Sequence, residues 1–335
     1  VVTAYKESLS MNTHRTLACL ISIAAITLLS PAHQASAEYP DRVIRLIVPY
    51  LPGGGTDIVA RHFAQEFGRA MGQTVIVENR AGAGGLVGIE SVINSDPDGY
   101  NFVVGDNSTN SFVPALAKTP RYNPVVDLTP ISLLVDVPNV FTVPAGFPAK
   151  SLADVIALAK QKPAFYNSGT AGVGSFSHVA IELMNVMAGT QIVCVSYKGG
   201  AEALPAVLKA EVQSEIMPLR NALPYINNGQ LRALAVTSQK RSPFVSDVPT
   251  MGETVPGYAA ENWYGLYAPG KLPDEILAKV AAAVKQAMGS QAMQDYARTD
   301  GTTIRMTTPE QFKDLARDDY EKWAKLIDET HIPKN

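Results

Sequence analysis

The chain is short of several things, and each shortage removes a class of function. It carries two cysteines in 335 residues, Cys19 and Cys194. Cys19 falls in a leader-like stretch, too early in its apolar run for lipid attachment. Cys194 is left alone in Gln191–Ser196, where it has no internal disulfide partner and reads as a small buried hydrophobe. There are five histidines, and no pair stands at metal-ligand spacing with an acidic partner. Basic charge is also scarce. Lys and Arg number 28 against 31 Asp and Glu, and setting residues 1–37 aside leaves a formal net charge of −4. That is no footprint for nucleic acid or an anionic membrane. The apolar run Thr16–Leu29 is shorter than the roughly 20 residues a spanning helix needs.

The common catalytic signatures are missing too. No Gly-Lys-Ser/Thr follows Gly53–Gly55, so a P-loop is excluded, and the Gly82-Ala83-Gly84 loop has Val87 where a dinucleotide fingerprint needs its third glycine. Gly172-Val173-Gly174-Ser175-Phe176 lacks the glycine that a nucleophile elbow requires after its serine. Ser175 and His178 fall on one helical turn, but no third group is in view to orient them. Catalysis is disfavoured, and no cofactor or metal is expected.

What is present begins with export. His14 and Arg15 after Met11, the apolar run, and the small residues Ala35-Ser36-Ala37 match a secretory signal, which puts the mature start near Glu38. Residues 1–37 are therefore set aside as upstream residues and export signal. The remaining chain of about 300 residues exceeds one comfortable core, so two domains are expected.

The mature chain is organised around Ile44–Asp57. Ile44–Val48 has the apolar pattern of a strand buried in a parallel sheet. Pro49, Tyr50 and Pro52 lead into Gly53-Gly54-Gly55, and Asp57 opens an amphipathic run. A helix N-terminus at the end of a strand offers free amides to an anion, or simply reverses the chain. Two more strands, Thr74–Val77 and Tyr100–Val104, end in the small, polar loops 78–85 and 105–109, the latter holding Ser108. Three such strand ends favour the anion site, because open α/β sheets bind ligands beyond the carboxyl ends of their strands.

Leu128–Val143, broken by Pro130 and Pro138, suits an extended crossing between domains. Ser151 caps a helix over Leu152–Lys160, with Asp154 as its box partner. A second series follows: strand Ala164–Asn167, loop Ser168–Ser175, helix Phe176–Met187, strand Gln191–Tyr197, helix Ala201–Lys209, then strands Val212–Met217 and Leu231–Thr237. Ala259–Ala268 reads as the return crossing, and helices Pro273–Met288 and Pro309–Thr330 are expected to pack back onto the first domain. The boundaries drawn are 38–139 and 256–335 for domain 1 and 140–255 for domain 2. Several residues keep two readings here. Asp57 either compensates the helix dipole or meets the ligand, His178 is a structural histidine or a site residue, and Tyr50 and Tyr197 either pack with solvated hydroxyls or face a cleft. Trp263 reads as packing.

The segments IRLIVPYLPGGGTD, VENRAGAGG, NSGTAGVGSFSH, SYKGGAEALPAVL, ALPYINNGQLRALAVTSQKRSP and NWYGLYAP, in this order and spacing, resemble the Bug-type receptors. These are extracytoplasmic solute-binding proteins of the tripartite tricarboxylate transporter family. The resemblance implies an α/β, periplasmic binding protein type II-like Venus flytrap, two α/β domains joined by two hinge crossings. It implies a periplasmic receptor that closes on a small carboxylate, a di- or tricarboxylate or an aromatic acid, and hands it to a two-subunit membrane permease. A monomer without nucleic-acid partners is expected. Carried over by position, the contacts fall on Tyr50, Gly54, Gly55, Asp57, Ala83, Gly84, Ser108, Ser168, Ser175, His178, Tyr197 and Met217. Gln213 and Met217 stand where many relatives carry aspartate, which argues against a ligand with an amino group. A sensor for a signalling partner shares this fold and pocket, and a serine-type hydrolase using Ser175 and His178 is the remaining alternative.

Overall fold

A computed structural model describes residues 39–329 together with Ile332 and Lys334. The export signal and its cleavage site lie outside the described residues. From Pro40 onward the chain forms one compact unit built on two mixed sheets. The first holds β1 (Ile44–Val48), β2 (Val75–Asn79), β3 (Asn101–Asp106), β4 (Leu128–Val137), β10 (Asn262–Pro269) and β11 (Thr303–Ile304), in the order β11-β4-β10-β3-β1-β2. The second holds β5 (Asn139–Pro144), β6 (Asn167–Thr170), β7 (Val193–Ser196), β8 (Ser214–Pro218) and β9 (Leu231–Val236), in the order β7-β6-β8-β5-β9.

Local chemistry explains most of the elements. β1 lies parallel between β2 and β3, and all but Arg45 of its residues are buried, as its apolar run demands. It feeds α1 (Gly55–Met71), whose Phe63 and Phe67 stack on each other while Phe67 meets Phe102 of β3 edge to face. Helix α2 spans Leu86–Ile93. Ser151 and Asp154 form the full capping box of α3 (Leu152–Gln161). α4 (Phe176–Ala188) and α5 (Gly200–Leu208) follow their loops as expected. Strand β6 is a correction: it begins at Asn167, not at Ala164. Ala164 has a left-handed backbone, φ 56°, and Phe165 is exposed, so this segment turns before pairing begins. Two of the longer helices have no counterpart in the sequence reading, α6 (Leu219–Asn227) and α8 (Gln291–Asp300), which flank the expected α7 (Asp274–Met288), and neither do the single turns Val113–Leu116 and Met251–Thr254.

The two chain crossings between the lobes lie side by side. Only Pro138 separates β4 from β5, and the return into β10 pairs Asn262 with Val137. Thr237 joins the crossings, its amide donating to the Asn139 carbonyl and its own carbonyl accepting from Ala260. The last helix, α9 (Pro309–Glu329), was expected on the first lobe alone, and its first half is there, with Phe312 packed on Trp263 and Tyr267. Its second half does more. Trp323 turns an edge onto Phe112, which packs on Phe176 of the second lobe, so α9 shares a core cluster with both lobes. Among the described residues no helix is long and apolar enough to cross a membrane.

Candidate functional site

The glycine loop is held from behind. Asp57, 2 % exposed, accepts from the Gly53 amide, from Asn79 Nδ2 and from Arg61 Nε, at 2.8–2.9 Å. Asn79 Nδ2 also donates to the Tyr50 carbonyl. Burial pushes the Asp57 carboxyl up, but the Arg61 guanidinium and the two amides together hold it below its ordinary value. The glycine loop is thus clamped by Asp57 at the Gly53 amide and by Asn79 at the Tyr50 carbonyl, with the amides of Gly54 and Gly55 left free.

Those amides face a cavity between the lobes, with about 90 Å³ open to the centres of water-sized molecules. Four helix N-termini converge on it: Gly54–Thr56 of α1, Ser175–Ser177 of α4, Gly199–Ala201 of α5, and Pro218 ahead of α6. No side chain caps α1, α5 or α6; the first amides of α1 and α5 remain available to an anion, whereas that of α6, on Leu219, donates to the Pro138 carbonyl. No lysine, arginine or histidine lines the cavity. An anion here is met by main-chain donors, helix dipoles and neutral hydroxyl or amide side chains such as Ser108 and Asn221, without a cation among the described lining residues.

Two acids stand in the lining. Tyr50 donates its hydroxyl to Asp106, 2.8 and 2.9 Å from the two carboxylate oxygens, and the Thr109 amide adds a further bond at 2.9 Å. Burial pushes the Asp106 carboxyl up against these donors, and burial together with the Asp106 charge pushes the Tyr50 phenol well up. Glu215 on β8 is 2 % exposed, its Oε2 has no hydrogen-bond partner, and burial alone raises its carboxyl well above the ordinary range. Asn262 Oδ1, also in the lining, is a second buried acceptor without a partner.

The structure gathers Tyr50, Gly54, Gly55, Ser108, Ser175 and Met217 around this cavity. Ala83, Gly84 and Tyr197 line a larger adjoining cleft of about 720 Å³, which shares Tyr50, Leu51 and Ala171 with the inner one. Three residues line neither. Asp57 is the buried clip just described. Ser168 is inside β6, its hydroxyl bonded to the Ser214 carbonyl, a result of the later start of that strand. His178 turns Nδ1 toward the Gly174 amide at 3.4 Å, while its own amide donates to Ser175 Oγ as part of the helix cap. The imidazole is therefore not poised over the serine. Behind it, His178, Glu182 and Cys194 bring possible ligand atoms within 4.8 Å of one another, but burial and the Glu182 charge push the Cys194 thiol far up. Gln213 bonds the Asn167 amide and faces no cavity. Sequence reasoning missed Asp106, Asn139, Glu215, Asn262 and Tyr264 as cavity residues. Glu215 follows Gln213 and Ser214 in the expected strand Val212–Met217, so nothing in the sequence set it apart.

The lobes touch across the cleft through glycines. A Cβ on Gly55 would lie 2.8 Å from the Tyr264 hydroxyl and 3.2 Å from Pro218 on the second lobe. One on Gly84 would meet the Val173 carbonyl at 2.6 Å, and one on Gly174 would meet Val113 at 2.8 Å. Gly84 and Gly174 also sit at φ 66° and 79°, where a side chain is strained.

The sequence profile described as tripartite tricarboxylate transporter family receptor matches residues 59–332. Protein BugT of Bordetella pertussis is 33% identical over 323 residues, 96% of this chain and 98% of that protein. The structure of the periplasmic binding protein BugD superposes with a TM-score of 0.84 at 30% identity, over 89% of this chain and all (100%) of its own. MatC from Rhodopseudomonas palustris with bound malate gives 0.82 at 30% identity, over 86% and 100%.

Proposed function

This chain belongs to the tripartite tricarboxylate transporter receptor family, and from that premise we propose that it captures a small carboxylate by lobe closure and delivers it to a two-subunit membrane permease. It is a binding protein and not an enzyme, as the family's members are receptors. Its place of work is the periplasm, where BugD is found, after removal of an export signal ending near Ala37. MatC, of the same fold, holds malate, and a dicarboxylate of that size suits a cavity with donors on both lobes.

The observation that carries this reading is the convergence of four helix N-termini on one cavity without a basic side chain. Such a site stabilises a carboxylate through fixed donors that need no counter-ion. A hinge of two adjacent crossings lets each lobe bring its own helix ends to the ligand.

The test is a thermal-shift screen of residues 38–335, purified and then unfolded and refolded to strip any captured ligand. The panel holds malate, adipate, citrate, benzoate and amino acids. A ligand at one hundred times its dissociation constant stabilises the protein by about 2.7 kcal/mol. A concentration-dependent rise with a carboxylate, lost in Gly54→Pro, is expected. No shift with any carboxylate would overturn the reading.

A further inference from the structure

Glu215 is the one buried charge-bearing group around the cavity for which the protein supplies no partner. Asp106 has Tyr50 and Thr109; Glu215, which lines the same cavity, has its Oε2 buried without a hydrogen-bond partner. The charged groups on the surrounding elements are occupied elsewhere. On α4, His178 faces Gly174 and Glu182 faces Cys194. Glu202 on α5 accepts from the Lys198 amide, and Arg220 on α6 pairs with Asp300. β5 and β6, which pair with β8, carry no titratable side chain, and the Tyr197 phenol is raised by burial and by the charges of Glu211 and Glu215 without a hydrogen bond to Glu215. Across the cavity stand Tyr50, Asp106 and Tyr264, none of them a cation.

A glutamine would offer a hydrogen-bond donor at this position without a titrating group, so an acid is needed only where a positive charge is to be met. Asn262 Oδ1, the other unpartnered atom in the lining, is likewise an acceptor waiting for a donor. We propose that Glu215 is the second-lobe subsite for a ligand's ammonium group, so that the solute is an amino-bearing carboxylate whose acid end rests on the helix N-termini. The proposal rests on the carboxylate reading above. It reverses the inference drawn from Gln213 and Met217: Gln213 faces no cavity, while Glu215 is on the same strand face as Met217, two residues away. On binding, the carboxylate of Glu215 pairs with the ammonium, and where Glu215 was protonated its proton goes to solvent. Affinity for an amino-bearing ligand therefore rises with pH until Glu215 is ionised in the empty protein.

Three pairs of equal shape decide it: malate and aspartate, lactate and alanine, phenyllactate and phenylalanine. Each is titrated calorimetrically into stripped wild type and Glu215→Gln at pH 5, 6.5 and 8. At least one amino member is expected to bind about tenfold or more tighter than its hydroxy partner, the scale of a lost buried charge pair. That preference should grow with pH and vanish in Glu215→Gln. Equal or tighter binding of the hydroxy members, or a preference that survives Glu215→Gln, overturns this proposal and leaves the carboxylate receptor standing. If Glu215→Gln shows no folded transition, the wild-type pH dependence of the ratio decides, and a flat ratio is fatal. Silence from all six while another carboxylate of the thermal-shift panel binds overturns this proposal and leaves the carboxylate receptor standing; silence from that panel as well removes both.

Discussion

Two buried acids of this protein have opposite relations to pH. The folded state raises the Glu215 carboxyl, so the stability it contributes is full below the ordinary glutamate value of about 4.3 and is lost as pH climbs through the higher folded value. Glu215→Gln should therefore melt above wild type in the empty protein by a margin that widens from pH 4 to pH 8; a margin independent of pH would contradict the burial of an unpartnered acid. Asp57 runs the other way. Its folded value is depressed, so its stability is present above the ordinary aspartate value of about 3.9 and is lost as pH falls through the folded one. Asp57→Ala strands the Gly53 amide and Asn79, and denaturant titration at pH 7 should show a loss of about 1–3 kcal/mol. These two acids also mark the limits of sequence reading. Asp57 was legible as a first-turn acid, with dipole and ligand roles both open, because the clip depends on Asn79 from a neighbouring strand. Glu215 was not legible. Both faces of β8 are buried, so Ser214, Glu215, Ile216 and Met217 show no polar alternation to say which way the acid points.

Elements with strong local signals were read well. The apolar run of β1, the capping box of α3 and the apolar stripe of α9 each announce themselves within a few residues. β6 was placed three residues early because Ala164–Asn167 has apolar content, while the pairing partners that decide a strand lie at Val193–Ser196 and Ser214. α6 was missed because its interior holds Pro224, which argues against a helix on sequence alone. The glycine contacts give a test of closure. Gly84→Val places a branched side chain against the Val173 carbonyl, so it should weaken ligand binding by an order of magnitude or more while each lobe stays folded. Unchanged affinity by calorimetry would show that the two loops separate when ligand is bound. Trp323, 1 % exposed and packed on Phe112, anchors the far half of α9. Trp323→Ala should cost about 3–5 kcal/mol by denaturant unfolding.

At the scale of the whole molecule, the two-lobed layout was readable because prolines break the first crossing, an extended aromatic run marks the return, and the strand–loop–helix unit recurs in each half. What could not be read was their meeting: Gly55 with Pro218, Gly84 with Val173, and Gly174 with Val113 are distant in sequence and join residues with no side-chain chemistry to pair them. If closure captures the ligand, small-angle scattering should show a smaller radius of gyration on adding a ligand found by the screen, and Gly84→Val should blunt that change. No compaction with a saturating ligand would mean that the lobes do not part in solution.

The cavity without a basic side chain has an implication for descent. Much of its hold on an acid group belongs to the backbone, which point mutation rarely alters, whereas Met217, Leu204 and Phe176 line its walls and Glu215 adds a single acid. A gene copied and left to drift can exchange those side chains one at a time without an intermediate that has lost the carboxylate. Diversity of diet, on this view, is inexpensive for such a scaffold, because the part of the site that all its ligands share is the part that substitution reaches least.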